Sequence, residues 1–217
     1  MNKRYIQQVS AFAPVQELSD EVRKDLRKNF KPLAARRLTA LPLILGELTK
    51  NAAPQPNDEW IFASEYGGSI SLEKYLESFP TPSPLHFQNS IQPGPLDLIN
   101  VVRGQSAAQL TPIIGAENLL AESLLAALIS RAEVVHLAAG EEYTQWAAQH
   151  GLGSGATFGF YLRLSRDPVN ALGEVSLQPG DSQAASHTHQ DAAKRLAQRQ
   201  DLCAHLPERG VIRLTWL

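Results

Sequence analysis

The sequence predicts an α/β chain: a mixed sheet flanked by helices on both faces. Three features predict it. Residues 110–139 read as strand, helix and strand in close succession; residues 32–50 carry a broad helical apolar face; and residues 211–217 alternate inside and outside as a strand does. With 217 residues the chain is long enough to bury a sizeable core as one domain spanning 1–217.

The elements run in order along the chain. Residues 18–29 form a charged helix with Ser19 as N-cap ahead of Val22 and Leu26. Pro32 opens a second helix over 32–50, whose apolar face is Leu33, Leu38, Leu41, Ile44, Leu45 and Leu48. Pro42 lies inside that pattern and predicts a kink or a split. Residues 51–57 are a polar, proline-punctuated loop, too short for a domain linker. Residues 59–64 are a buried strand running to Gly67-Gly68, with a helix after it at 70–79.

Pro80, Pro82 and Pro84 then argue against a helix, so 85–91 is expected to be extended, with Leu85, Phe87 and Ile91 on one face. Leu96, Leu98, Ile99 and Val102 belong to a short apolar helix after it. The tight turn at Gly115 joins a strand at 110–114, irregular at Pro112, to a Leu/Ala-rich helix at 117–130. A buried strand comes next at 133–139. Neighbouring parallel strands with a central, covered helix are expected. Beyond them lie a helix at 141–149, strands at 157–164 and near 171–177, a loop at 179–185, a helix at 186–204 and the final strand.

Composition narrows the function. Lys and Arg number 20 against 22 Asp and Glu, a net charge of −2, so nucleic-acid binding is not the expected role. The single cysteine, Cys203, excludes an internal disulfide framework and thiolate-rich metal sites. No apolar run approaches the ~20 residues of a membrane span. The basic residues 1–5 lead into no apolar signal core. A cytoplasmic protein is expected.

Four places carry residues suited to chemistry. The Gly115-Ala-Glu-Asn118 turn precedes a buried helix whose first N–H groups can stabilise an anion, yet it offers no thiol or hydroxyl; Glu117 and Asn118 suit a helix start. Glycines 151, 153 and 155 lack the Lys-Ser/Thr of a phosphate loop, and Gly151 fits a helix C-cap. His187, His189 and Asp191 form a cluster able to hold a divalent metal. They carry an alternative reading, a small hydrolase or acyltransferase; the structural reading makes Ser186 a cap and Asp191 a helix-dipole partner. His136 reads as a satisfied core histidine, Arg36-Arg37 as a helix-surface pair, and Cys203 as a buried thiol late in the last helix.

Several segments occur together in one order: Ala35-Arg-Arg-Leu38; Ile61-Phe-Ala-Ser64 with Gly67-Gly68; Ser83-Pro84, Phe87 and Ser90; the Gly115 turn with its Ala-rich helix; and a strand ending Ala139-Gly140-Glu141-Glu142. Over roughly residues 4–177 this resembles the β-ketoacyl synthase N-terminal-like domain family, the short ketosynthase relatives that include chain-length-factor-like proteins of aryl polyene clusters. The resemblance implies a thiolase-like half-fold with a five-stranded mixed layer. It places the ketosynthase cysteine at Ala116 or Glu117, a degenerate nucleophile position. After Phe87-Gln-Asn-Ser90 the sequence runs Ile91-Gln-Pro93 where many relatives have His-Asn, and the family's catalytic histidines belong to a second half. The resemblance thus implies a non-catalytic subunit in fatty acid or polyketide biosynthesis, paired with a β-ketoacyl synthase and meeting an acyl carrier protein only indirectly. Leu85, Phe87, Ser90, Ile91, Leu96 and Ile99 are its expected interface, and no cofactor or metal is implied.

Overall fold

The computed structural model describes residues 3–105, 109–115, 118–153, 155–179 and 186–217. The strands are β1 (Lys3–Val15), β2 (Glu59–Ala63), β3 (Gln109–Ile113), β4 (Val134–Glu141), β5 (Thr157–Ser165), β6 (Gly173–Gln178), β7 (Leu202–Leu206) and β8 (Gly210–Trp216). The helices are α1 (Asp20–Arg27), α2 (Pro32–Ala35), α3 (Ala40–Leu48), α4 (Ser69–Glu77), α5 (Pro84–Ser90), α6 (Gly94–Arg103), α7 (Leu119–Ile129), α8 (Gln145–Gln149) and α9 (His189–Ala197).

Among the described residues the strands form one mixed sheet in the order β3-β2-β4-β5-β1-β6-β8-β7. β2 runs parallel to both β3 and β4, and every other pairing is antiparallel. β3 and β4 are thus parallel, as their connection implies, but β2 lies between them. The sheet extends beyond the expected five-stranded layer because β1 joins it at the centre and β6, β8 and β7 continue it.

The sheet separates two cores. On one face α7 and α9 pack on Ile61, Leu137, Phe158, Phe160 and Leu162 of the central strands and on Leu202, Ala204, Ile212 and Leu214 of the last two. On the other face α1, α3 and α6 cover Trp60, Phe62, Ala138 and Tyr161. α7 touches β2, β3 and β4 at one end of the sheet and β6, β7 and β8 at the other, so the sheet curls around it. This is why a helix apolar around most of its circumference suits this place.

Four elements differ from the sequence expectation, each for a local reason. Residues 84–90 are helical, because Pro84 falls at the first helical position, where no N–H is needed, and Ser83 accepts from the His86 N–H at 3.4 Å as N-cap. The helix expected over 32–50 breaks at residues 36–39, and Pro42 sits in the first turn of α3, where it kinks nothing. Glu141 ends β4, so the helix after it is only α8. The last helix stops at Ala197, and Cys203 lies on a strand. Arg199 takes a left-handed φ of 52°, and the Gln200 N–H donates to the Arg195 carbonyl at 2.9 Å, a C-cap normally signalled by glycine.

No signal in the sequence marks β1, yet its inner end anchors the sheet. Arg4 is 1% exposed and donates to the carbonyls of Ser130, Ala132 and Glu133 at 2.8–3.0 Å, fastening the α7–β4 connection. Among the described residues no helix is long and apolar enough to cross a membrane.

Candidate functional site

The strands β2 and β4 end side by side beneath the start of α7, and there a cavity of ≈ 350 Å³ opens between Glu65, Asn118, Glu141, Phe158, His187 and His189. Asn118 leads into α7 with a left-handed φ of 60°, a conformation asparagine tolerates better than most residues. The expected nucleophile positions, Ala116 and Glu117, adjoin it in sequence and lie outside the described residues.

Glu141 ends β4 and Glu142 follows it directly, and the two side chains go to opposite faces of the sheet. Glu141 faces the cavity side. Its carboxylate accepts from the Ser64 hydroxyl at 2.9 Å, from the Glu65 N–H and from the Tyr66 N–H at 3.2 Å, which fixes the turn after β2. Burial nevertheless pushes its carboxyl up to about 7, against those three donors. Glu142 is buried on the other face and accepts from the N–H groups of Leu41 and Ile70, each at 2.9 Å. Burial raises its carboxyl too. Gly140, just before them, is required by packing: a Cβ there would meet the Phe158 carbonyl oxygen and the Leu41 side chain.

The histidine side of the cavity is structural. His189 is held neutral, burial driving its ring down to about 3. Its ring packs edge-on to Phe160, its Nε2 lies 3.5 Å from Ser123 Oγ, and its Nδ1 has no partner among the described residues. Ser123 is wholly buried and donates to the Leu120 carbonyl at 2.9 Å, so it is no exposed nucleophile. His187 is tied to β7: its N–H donates to the Cys203 carbonyl at 2.9 Å and its Nδ1 accepts the Cys203 N–H at 3.0 Å. Asp191 and Thr188 form a reciprocal capping box at the start of α9. The cap is therefore Thr188 rather than Ser186, whose hydroxyl instead accepts from the His205 N–H at 3.2 Å. His187, His189 and Asp191 point to three different partners, and the described residues contain no group of three His, Cys, Asp or Glu arranged for a metal. The hydrolase or acyltransferase reading of that cluster has no assembled site behind it.

His136 is a core histidine. Its two ring nitrogens meet Asp58 at 2.9 Å and the Tyr161 hydroxyl at 2.8 Å, and its ring stacks on Trp60. Arg36 and Arg37 lie exposed in the link between α2 and α3 rather than on a helix face. Gly151 is the left-handed residue after α8, with a φ of 67°, and the Leu152 N–H reaches the Ala147 carbonyl at 2.8 Å.

The residues expected at a partner surface divide. Leu85, Phe87 and Ile91 are exposed on and just after α5, but because the segment is a helix Leu85 and Phe87 do not share the face that a strand would have given them. Phe87 rests on the Tyr75 ring, which also meets Phe79, while Leu85 lines a separate cleft. The Ser90 hydroxyl donates to the Phe87 carbonyl at 2.7 Å. Leu96 and Ile99 are fully buried against the α3 side of the core and present nothing outward. In the sequence the glutamate pair and Ser64 stand out only as parts of a family pattern; their capping roles depend on turns brought together from distant segments.

No protein-family model matches the sequence, and no curated protein matches it. Among solved structures, the chain is similar to one from the complex of the ketosynthase ApeO with its chain length factor ApeC from Xenorhabdus doucetiae. The TM-score is 0.63 at 14% identity, covering 98% of this chain and 99% of that one. It is also similar to a β-ketoacyl synthase from Burkholderia phymatum STM815, with a TM-score of 0.56 at 9% identity, over 91% of this chain and 70% of that one. The chain has the ketosynthase-like, thiolase-like α/β fold.

Proposed function

We propose that this chain is a non-catalytic, chain-length-factor-like subunit that pairs with a β-ketoacyl synthase in fatty acid or polyketide biosynthesis of the aryl polyene type. One observation carries the reading: a ketosynthase-like fold over nearly the whole chain, with Ala116-Glu117 where the turn into the central helix would need a thiol. Cys203 does not replace it. It lies on β7, where neighbouring Leu202 and Ala204 face α7 and alternation turns Cys203 to the opposite side of the sheet.

Two surfaces support a protein partner. Among the described residues β3 is a sheet edge paired only with β2, whereas the β7 edge is covered by residues 186–187. The exposed rings of Phe79, just after α4, and Phe87 of α5 both pack against Tyr75 and form a small apolar surface that a partner would cover, whereas Leu85, two residues before Phe87 on the helix, turns to the cleft lined by His86 and Asn89. On this reading residues 1–217 are one cytoplasmic ketosynthase-like domain, and an acyl carrier protein is met through the partner.

Co-expression with a ketosynthase encoded nearby tests it. Stable co-purification is expected, with condensing activity that requires the partner's cysteine and survives Cys203→Ala in this chain. Condensation by this chain alone, or failure to associate with any neighbouring ketosynthase, overturns it.

A further inference from the structure

On the face of the sheet opposite the cavity, a second and smaller cleft of ≈ 190 Å³ lies where α1, the α2–α3 link, α4 and α5 meet. Its walls carry Arg23 and Arg27 from α1, Arg36 and Arg37 from the link, and Lys74 from α4; no carboxylate lines it among the described residues. The four arginines make no side-chain hydrogen bond or ion pair among the described residues. Lys74 acts on the buried Glu142 nearby.

In a chain with a net charge of −2 this concentration of positive charge is local. Arg23 and Arg27 stand at i,i+4 on α1 and Arg36 and Arg37 are adjacent in the link, so an anion bound among them would relieve their mutual repulsion. Each guanidinium presents a planar fork of donors that matches two oxygens of one oxyanion, and several forks facing one concavity suit a dianion better than a single carboxylate. The enclosed volume admits a phosphate group with a few attached atoms. Asn89, on the α5 wall, adds a neutral amide. Lys24 lies just beyond, in a depression that shares Arg27 and Arg36; Lys28 in the same depression is paired with Asp25 at 2.7 Å.

We propose that the cleft between α1, the α2–α3 link, α4 and α5 is a binding site for the phosphate group of a small phosphorylated ligand, held by Arg23, Arg27, Arg36 and Arg37. The site is separate from the cavity beside α7, and it stands whether or not the chain pairs with a ketosynthase.

The test is calorimetric titration of the full chain with inorganic phosphate and pyrophosphate near neutral pH, at constant ionic strength set with chloride. Saturable binding is expected, weakened about tenfold or more in R36Q/R37Q and unchanged in Arg131→Gln, which removes an exposed arginine elsewhere. Arg23→Gln, on a different element, is expected to weaken it as well, and it covers the case in which the double variant folds poorly. The proposal is overturned by non-saturable binding, by equal losses in Arg131→Gln, or by full affinity in both cleft variants. Binding of poly-glutamate without phosphate overturns it too, and assigns the cleft to an acidic polypeptide.

Discussion

The carboxylate of Glu142 accepts the backbone N–H of Leu41 at 2.9 Å, across 101 residues of sequence, and its other oxygen accepts that of Ile70. Neither α3 nor α4 has a side-chain cap of its own: Thr39 and Gly68 make no capping bond to their helices. One buried carboxylate therefore serves the second N–H of both helices and joins them to the end of β4. Two positive helix ends favour the ionised form of that carboxyl and oppose the burial that raises it.

Glu142→Ala should accordingly cost about 3 kcal/mol, combining the loss of two caps of ~1 kcal/mol each with a small cavity. Glu142→Gln keeps the shape and one acceptor and should lose less. Urea unfolding measures both; a loss below about 1 kcal/mol for the alanine variant would show that water replaces the carboxylate at both helix ends.

Glu141 gives the protein a pH dependence of definite sign. Its carboxyl is raised from 4.5 to about 7 by burial, so between those values the folded state binds more protons than the unfolded chain. The stability from this group is fully present below pH 4.5 and falls as pH rises through 7. At ~1.4 kcal/mol per unit the difference reaches about 3 kcal/mol at most. Melting temperatures of wild type and Glu141→Gln between pH 5 and 8 should show the wild type losing stability relative to the variant as pH rises. Parallel curves would mean that the three donors around the carboxylate hold it ionised throughout.

Arg4 fastens β1 to the α7–β4 connection through three carbonyls, and burial lowers its guanidinium to about 10, still charged at neutral pH. Arg4→Met should destabilise by about 3 kcal/mol, because the carbonyls of Ser130, Ala132 and Glu133 lose a charged donor. Arg4→Lys should rescue little of this, since a compact ammonium lacks the planar fork. Full rescue by lysine, read from chemical unfolding, would reduce the role of Arg4 to its charge.

Arg4 also shows where the sequence stops being legible. A buried arginine in a strand gives no apolar alternation, and β1 continues with Gln7, Gln8 and Ser10, so from sequence the central strand reads as no more than a basic terminus. Strands with continuous apolar runs, β2 and β4, and the Leu/Ala-rich α7 are readable because burial on both sides leaves a dense signal. The helix at 84–90 is obscured because prolines that argue against a helix in general permit one when the last falls at its first position. β7 merges with the preceding helix in the sequence pattern because its stop signal is a left-handed Arg199 instead of a glycine. The candidate cavity is half legible. The turn at Gly115 points to it, but its meeting with His187 and His189 depends on a sheet that curls around α7, which no local pattern encodes.

The exposed face of α4 and α5 yields the prediction that bears most directly on function. Phe87 is half exposed and its ring lies 5.3 Å from that of Tyr75, which in turn meets the exposed Phe79. A charge at Phe87 should leave the fold intact, because the side chain already meets solvent and forms no part of either buried cluster. At a protein interface the same charge would be desolvated without a partner, a penalty of several kcal/mol. Phe87→Asp should therefore remain soluble and monodisperse but fail to co-purify with the proposed ketosynthase partner, while Leu33→Asp, at an exposed apolar position on α2, should bind that partner as wild type does. Wild-type binding by Phe87→Asp would move the interface away from α5, leaving the β3 edge as the surface to test next.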